Sequence, residues 1–276
     1  MDIGVLGPCW VMQAGASVVP TAVKPRKVLA LLALHPDQVV SVNALVEELW
    51  GESPPRSVQT TLQTYILQLR NLISSAVGGH SADLPLGAKS VLVTESGGYL
   101  LDTQGGDVDV AEFDRLSGAG HRALEAGDCT AASALFRQAL ALWRGPALID
   151  VQCGALLEVE ATRLEECRLS ILGRRIEADL YLGRHHELIG ELSGLAARYP
   201  LHEGLHEQLM LALYRAGRRG SSLDVYQRLR AVLGRELGLG PSQSLRNMQR
   251  AVLDSAPELD LGGHFPPAAG RLVRAI

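Results

Sequence analysis

Residues 56–73 read RSVQTTLQTYILQLRNLI, and no acidic side chain occurs anywhere from Ser53 to Ala82. The chain's acid frequency, 30 in 276, would place about three in that window. Val58, Leu62, Tyr65, Leu69 and Leu72 recur at 4-3-4-3 spacing, which predicts a helix with one buried face. At about 100° per residue the opposite face carries Arg56, Thr60, Gln63, Thr64, Leu67 and Asn71. Thr61 and Gln68 lie on one flank, Gln59 and Arg70 on the other.

That outward face is polar, mostly uncharged, and includes an exposed Leu67. It suits the floor of a DNA major groove. Glutamine pairs with adenine edges, threonine and leucine touch thymine methyls, and a carboxylate would be repelled by phosphate. The helix alone also fits a second reading, a solvated surface helix that lacks acids.

The flanking sequence adds the elements of a small domain. Upstream, IGVL, CWVM and ASVV are short apolar or alternating pieces broken by Gly-Pro and Ala-Gly, the pattern of an antiparallel meander. Pro25 at a helix N1 position, followed by Val28, Leu29, Leu31 and Leu32 and stopped by His35-Pro36, predicts a first helix of about ten residues. Ser41 caps a second, with Leu45, Val46, Leu49 and Trp50 on its apolar face and Gly51 as its C′ residue before Ser53-Pro54-Pro55. Downstream, AVGGHSADLPLGAKS reads as a loop and VLVTESGGYLL as a hairpin around Gly97-Gly98. Strands, three helices and a terminal hairpin make a winged helix.

The order of VVSVNALVEELWG, LQLRNLI and ESGGYLL resembles the OmpR-type winged-helix output domain over about residues 1–105. Candidate DNA-binding residues are Trp50, Arg56, Thr60, Thr61, Gln63, Thr64, Gln68, Arg70 and Gly98. For Trp50 two roles stand open: a core residue under the third helix, or, as the resemblance implies, an indole donor to a backbone phosphate. The resemblance also assigns polymerase contact to the loop of Glu52, Ser53, Pro54 and Pro55. Against DNA binding, residues 1–105 hold six Lys or Arg and eight Asp or Glu, a net of −2, where a basic footprint is usual.

Beyond Gly105-Gly106, DVDVAEFDRL leads into sequence with almost no strand signal. Helical patterns recur at 125–140, 181–200 and 214–229, and Gly183 and Gly217 lie 34 residues apart, the tetratricopeptide period. Counting five, nine and twelve residues from Gly127, Gly183 and Gly217 gives Ala132, Phe136, Ala139; Leu188, Leu192, Leu195; and Ser222, Tyr226, Leu229. The first and third sets follow the small-large-small or apolar order of nested helical hairpins, and such grooves usually bind protein. The fold class is therefore mainly α with a small β component: winged helix at 1–105, helical repeats at 106–255, and a Pro/Gly-rich disordered tail at 256–276.

A winged helix followed by DVDVAEFDRL, ALALWRGPALID and LHEQLMLALYRAGRRGSSLDVYQRLRAVLGRELGLGPS resembles the Streptomyces antibiotic regulatory protein family, with its bacterial transcriptional activation domain. The resemblance implies a cytoplasmic, nucleoid-associated activator of a secondary-metabolite pathway. Such an activator binds direct repeats near the −35 region of double-stranded DNA as a homodimer and recruits RNA polymerase holoenzyme, including its sigma factor. The large members' extra nucleotide-binding and repeat domains have no room in this chain.

Other chemistries find less support. HEGLH, from His202 to His206, fits the zinc-protease pattern with Glu203 as base, but it follows Pro200 at a repeat helix, and no third ligand has the right spacing. His185-His186 reads as a solvated pair at a repeat turn. Cys9, Cys129, Cys153 and Cys167 lack CxxC spacing and read as reduced buried thiols. No GxGxxG after a strand, GxxxxGK[ST] or GxSxG occurs, and no apolar run reaches the roughly 18 residues that span a bilayer, so no cofactor, metal, catalytic residue or membrane association is expected. The rival reading is a helical-repeat adaptor that binds protein without DNA.

Overall fold

A computed structural model describes residues 1–76 and 84–260. The elements run β1 (Asp2–Gly4), β2 (Trp10–Gln13), β3 (Ala16–Ser17), α1 (Val23–Leu34), β4 (Val39–Ser41), α2 (Val42–Trp50), α3 (Val58–Ala76), α4 (Leu84–Val91), β5 (Leu92–Glu95) and β6 (Gly98–Leu101). The helices α5 (Asp109–Glu125), α6 (Cys129–Ala141), α7 (Ala155–Tyr181), α8 (His185–Arg198), α9 (Glu203–Arg215), α10 (Arg219–Leu237) and α11 (Gln243–Asp254) follow, with a 3₁₀ turn at Pro257–Leu259. The chain is thus mainly helical with a small β component.

Two compact units result, one of residues 1–118 with 138–170, the other of residues 119–137 with 171 onward. In the first, β1, β2 and β3 form the expected antiparallel meander, with Ile3 opposite Val11 and Met12 opposite Ser17. Ser41 caps α2 as its sequence position predicts, its hydroxyl accepting from the Ala44 N–H at 3.1 Å. A second sheet, ordered β4-β6-β5, closes the winged helix.

Several details differ from expectation. Pro25 is the third residue of α1, which begins at Val23. The core face of α3 is Leu62, Ile66, Leu69 and Ile73, each at most 2% exposed, while Val58, Tyr65 and Leu72 are half-buried. The buried stripe is rotated by about one residue because α3 packs on both α1 and α4, and α4 stands where a loop was expected. Residues 77–83 of that expected loop lie outside the described residues.

Three carboxylates explain why the first unit extends past residue 105. Asp109 accepts the N–H groups of Val5 and Leu6 at 3.0 Å each and pairs with Arg144. Asp150 accepts the Cys9 N–H at 2.7 Å and meets Arg26 of α1. Glu48 of α2, only 2% exposed, accepts from the backbone N–H groups of Gly154, Leu156 and Leu157. These are donors that the start of α7 leaves without helical partners, and a carboxylate there also meets the positive end of the helix dipole.

In the second unit the expected hairpin glycines all adopt left-handed backbone, with φ of 79° at Gly127, 76° at Gly183 and 73° at Gly217. Each ends one helix just before the next begins. Phe136 and Ala132 are fully buried, and a Cβ on Gly120 would lie 2.5 Å from the Phe136 ring, so the small residue lets α5 approach α6. Ser222 is also fully buried, and its hydroxyl donates to the Met210 carbonyl at 2.9 Å. Asp179 is fully buried among Ser133, Arg137, Arg184 and Arg175, at 2.7, 2.7, 2.7 and 3.3 Å.

His185 is buried, 8% exposed, rather than solvated, and its ring lies 4.5 Å from that of His186. Burial first, then the nearby His186 and Arg215, lowers its pKa. All four cysteines are free thiols, but only Cys9 is buried and the other three are half-buried. Burial, followed by the Asp150 charge, pushes the Cys9 thiol up to about 12. Of the expected tail, Pro257–Leu259 is structured with Leu259 fully buried, and residues 261–276 lie outside the described residues. No helix among the described residues is long and apolar enough to cross a membrane.

Candidate nucleic-acid interface

Gly51 ends α2 with φ +56°, and the exposed loop of Glu52, Ser53, Pro54 and Pro55 leads to α3. The Val58 N–H donates to the Pro55 carbonyl at 3.1 Å, so the loop sets the first turn of the helix. From there Gln59, Thr60, Gln63, Thr64, Leu67, Gln68 and Asn71 are all exposed, Leu67 at 58%. The outward face read from the sequence is therefore the solvent face of α3.

Its hydroxyls and amides differ in availability. Thr61 and Thr64 donate to the carbonyls of Ser57 and Thr60, each at 2.9 Å, which occupies their hydroxyl protons. Among the described residues the amides of Gln59, Gln63 and Gln68 have no hydrogen-bond partner, nor has the Arg56 guanidinium. A face with free amides, methyls and one leucine matches the donor, acceptor and methyl pattern of a major-groove edge.

Trp50 takes a place between its two expected roles. It is half-buried and stacks on Tyr65 of α3, with ring centroids 6.3 Å apart and planes 20° from parallel. Lys24 lies over its ring, Nζ 4.8 Å from the centroid, which places a cation beside α3 that the sequence reading missed. A lysine 26 residues before Trp50 carries no local signal, since only the packing of α1 on α2 brings the two together.

Arg70 does not stand free for phosphate. Its guanidinium donates to the Leu92 carbonyl at 3.0 and 2.7 Å and to the Thr94 hydroxyl at 2.8 Å, tying α3 to β5. Burial lowers its pKa, without removing the charge at physiological pH. Gly98 is likewise a fixture of the hairpin. It is buried, and a Cβ there would lie 2.3 Å from the Val40 carbonyl, so β6 could not pair so closely with β4. The exposed tip is the two-residue turn Ser96-Gly97, with Gly97 at φ +83°, one residue earlier than expected.

The histidine motif is taken up by packing. His202 caps α9, its Nδ1 accepting from Leu205 N–H at 3.2 Å, and His206 Nδ1 lies 3.1 Å from the His202 carbonyl. Glu203 accepts the Ser242 N–H at 2.7 Å. Among the described residues no group of three His, Cys, Asp or Glu side chains is placed to hold a metal ion.

A helix with a free acid-free face, a β-wing beside it and paired-helix repeats later in the chain define a transcriptional regulator with a winged-helix DNA-binding domain. Residues 17–83 match the family "Transcriptional regulatory protein, C terminal", and residues 108–253 match the bacterial transcriptional activator domain. The chain belongs to the Streptomyces antibiotic regulatory protein family. It is 50% identical over 275 residues to the regulatory protein DnrI of Streptomyces peucetius, covering 100% of both chains. It is 36% identical to the transcriptional regulator RedD of Streptomyces coelicolor, over 94% of this chain and 72% of that protein. A solved structure of Mycobacterium tuberculosis EmbR in complex with a low-affinity phosphopeptide aligns with TM-score 0.83 and 32% identity, over 93% of this chain and 65% of that one.

Proposed function

We propose that the chain activates transcription of a secondary-metabolite pathway by binding direct repeats in double-stranded DNA. In this reading α3 enters the major groove, two subunits lie head to tail, and RNA polymerase holoenzyme docks beside them. The acid-free exposed face of α3, with its unpartnered glutamines, is the observation that carries the reading. Arg56 and Lys24 flank it as phosphate contacts, Trp50 offers its indole edge, and the Ser96-Gly97 tip lies along the neighbouring backbone. Arg70 acts through the wing rather than on DNA.

With so few cations, affinity should depend on salt only moderately. Two to four phosphate contacts per subunit give a slope of log affinity against log salt of about −2 to −4. A gel shift on the chain's own promoter region with a salt titration measures it. The same assay with half a helical turn, roughly 5 bp, inserted between repeats should lose cooperativity, because the second winged helix would face the wrong side. The net charge of −2 on residues 1–105 favours the rival, a protein-binding adaptor. Salt-independent or undetectable binding would decide for the adaptor.

Polymerase contact is assigned to the exposed loop of Glu52, Ser53, Pro54 and Pro55, which two prolines stiffen. Glu52→Lys or Pro54→Gly should leave operator affinity nearly unchanged while purified transcription falls severalfold. A parallel fall in both, or no change in either, removes the loop's separate role.

A further inference from the structure

Residues 215–250 hold eight arginines against two acids, Asp224 and Glu236, in a chain whose net charge is −4. Half of these arginines have structural work. Arg215 donates to the carbonyls of Leu180 and Leu259, Arg219 to that of Leu253, Arg246 to that of Pro241, and Arg235 pairs with Glu236. Arg218 and Arg228 are exposed and, among the described residues, have no hydrogen-bonding or ion-pairing partner for their guanidinium groups. Both line one groove of about 190 Å³ above α9, between α8 and α10.

The groove has an internal order. Arg218, the N-cap of α10, is followed at three- and four-residue spacing by Ser221, Asp224 and Arg228 along the helix, and the floor is Leu209 and Leu213 of α9. Ten residues of helix separate the two arginines, about 15 Å along the axis at 1.5 Å per residue. An extended chain covers that distance in about four to five residues. Asp224 lies between the arginines and repels an acid there, while Ser221 offers a hydroxyl to a passing backbone.

We infer that this groove docks an extended acidic segment of a partner protein, with carboxylates at both ends on Arg218 and Arg228 and uncharged residues over Asp224. Arginine's planar fork holds a carboxylate by two parallel hydrogen bonds, and neither guanidinium must give up another partner to do so. Duplex DNA fits less well, because Asp224 lies between the two arginines and repels a continuous run of phosphates. The site is separate from α3, so its occupation does not depend on the DNA reading.

Fluorescence anisotropy on the full chain tests it. The probe is a labelled five-residue peptide with glutamate at each end and uncharged residues between; the controls carry glutamine at both ends, or a third glutamate in the middle. The terminal-glutamate peptide should bind at least about tenfold tighter than the glutamine control at low salt. Arg218→Ala with Arg228→Ala should abolish that difference, and Asp224→Asn should admit the middle glutamate. Both changes are on exposed positions, and an unchanged unfolding midpoint establishes that the fold is intact. Equal binding of the two peptides, or discrimination that survives the double substitution, overturns the proposal. So does loss of affinity for a random 20-bp duplex in place of the peptide, which would make the arginines a nucleic-acid surface. A Gln63→Ala, Gln68→Ala variant should still bind the peptide, so failure of DNA readout and failure of this site give different results.

Discussion

Replacing Asp179 by asparagine is expected to destabilise the second unit by about 3–5 kcal/mol at neutral pH, read as a lowered urea midpoint with unchanged slope. The carboxylate is fully buried and meets the Ser133 hydroxyl and the guanidinium groups of Arg137, Arg175 and Arg184. Asparagine keeps the shape but removes the counter-charge. Arg175, itself 8% exposed at its side chain, keeps only Glu191. Burial by itself would raise the Asp179 pKa, but hydrogen bonds from Ser133 and Arg184 and the charges of Arg137 and Arg175 outweigh it and hold the pKa below the usual carboxylate range. A depressed folded-state pKa contributes stability that is fully present above the unfolded value, about 3.9, and is lost as pH falls through the folded value. The gap between wild type and Asp179→Asn should therefore be constant from neutrality down to about pH 5 and close below pH 4. Coincident curves at pH 7, or a gap that persists on acidification, would mean the carboxylate is not what holds this cluster.

The same cluster shows what the sequence could and could not announce. Gly127, Gly183 and Gly217 were legible because a left-handed turn between paired helices leaves a local mark, a glycine at a fixed distance from the next buried residue, which is small after Gly127 and Gly217 but a leucine after Gly183. Ser41 and the acid-free face of α3 were legible for the same reason, since a cap and a solvent face are decided within one helix. Asp179 meets Ser133 across 46 residues, and Glu48 meets Leu157 across 109. No periodicity marks such partners. A buried glutamate in VEELW looks like any surface acid until the start of α7 is brought to it.

Long-range packing also decided the site residues that were misjudged. Arg70 lies on a helix flank in the sequence, where an arginine beside a bare polar face suggests phosphate. Its partners, Leu92 and Thr94, come from a strand 22 and 24 residues later. Gly98 looked like half of a turn, yet the Val40 backbone dictates it, through a strand β4 that its three residues were too short to signal. Ile66 and Ile73 became core because α3 is covered from two sides, whereas a single-face reading of its spacing chose Tyr65 and Leu72. In each case the local pattern named the right element, and the neighbouring element fixed which side chains were free to act.

Loss of both free amides on α3 should have the largest effect on function. Gln63 and Gln68 are exposed, lie on the solvent face and have no competing partner within the protein. Each bidentate pairing with an adenine edge discriminates by about 1–3 kcal/mol. The two are five residues apart on the helix, so they reach different base pairs, and their effects should add to about 2–6 kcal/mol. Gln63→Ala with Gln68→Ala should therefore weaken the cognate operator by at least about thirtyfold while non-specific binding, which the proposal assigns to Arg56 and Lys24, stays near its original value. Competition against operators changed one base pair at a time gives the sharper reading: base preference should flatten at two positions and persist elsewhere. Exposed polar substitutions of this kind usually change stability by less than about 0.5 kcal/mol, so a thermal melt should be nearly unmoved. If operator affinity and base preference survive the double substitution, α3 is not the reading helix, and its freedom from acids must have another cause.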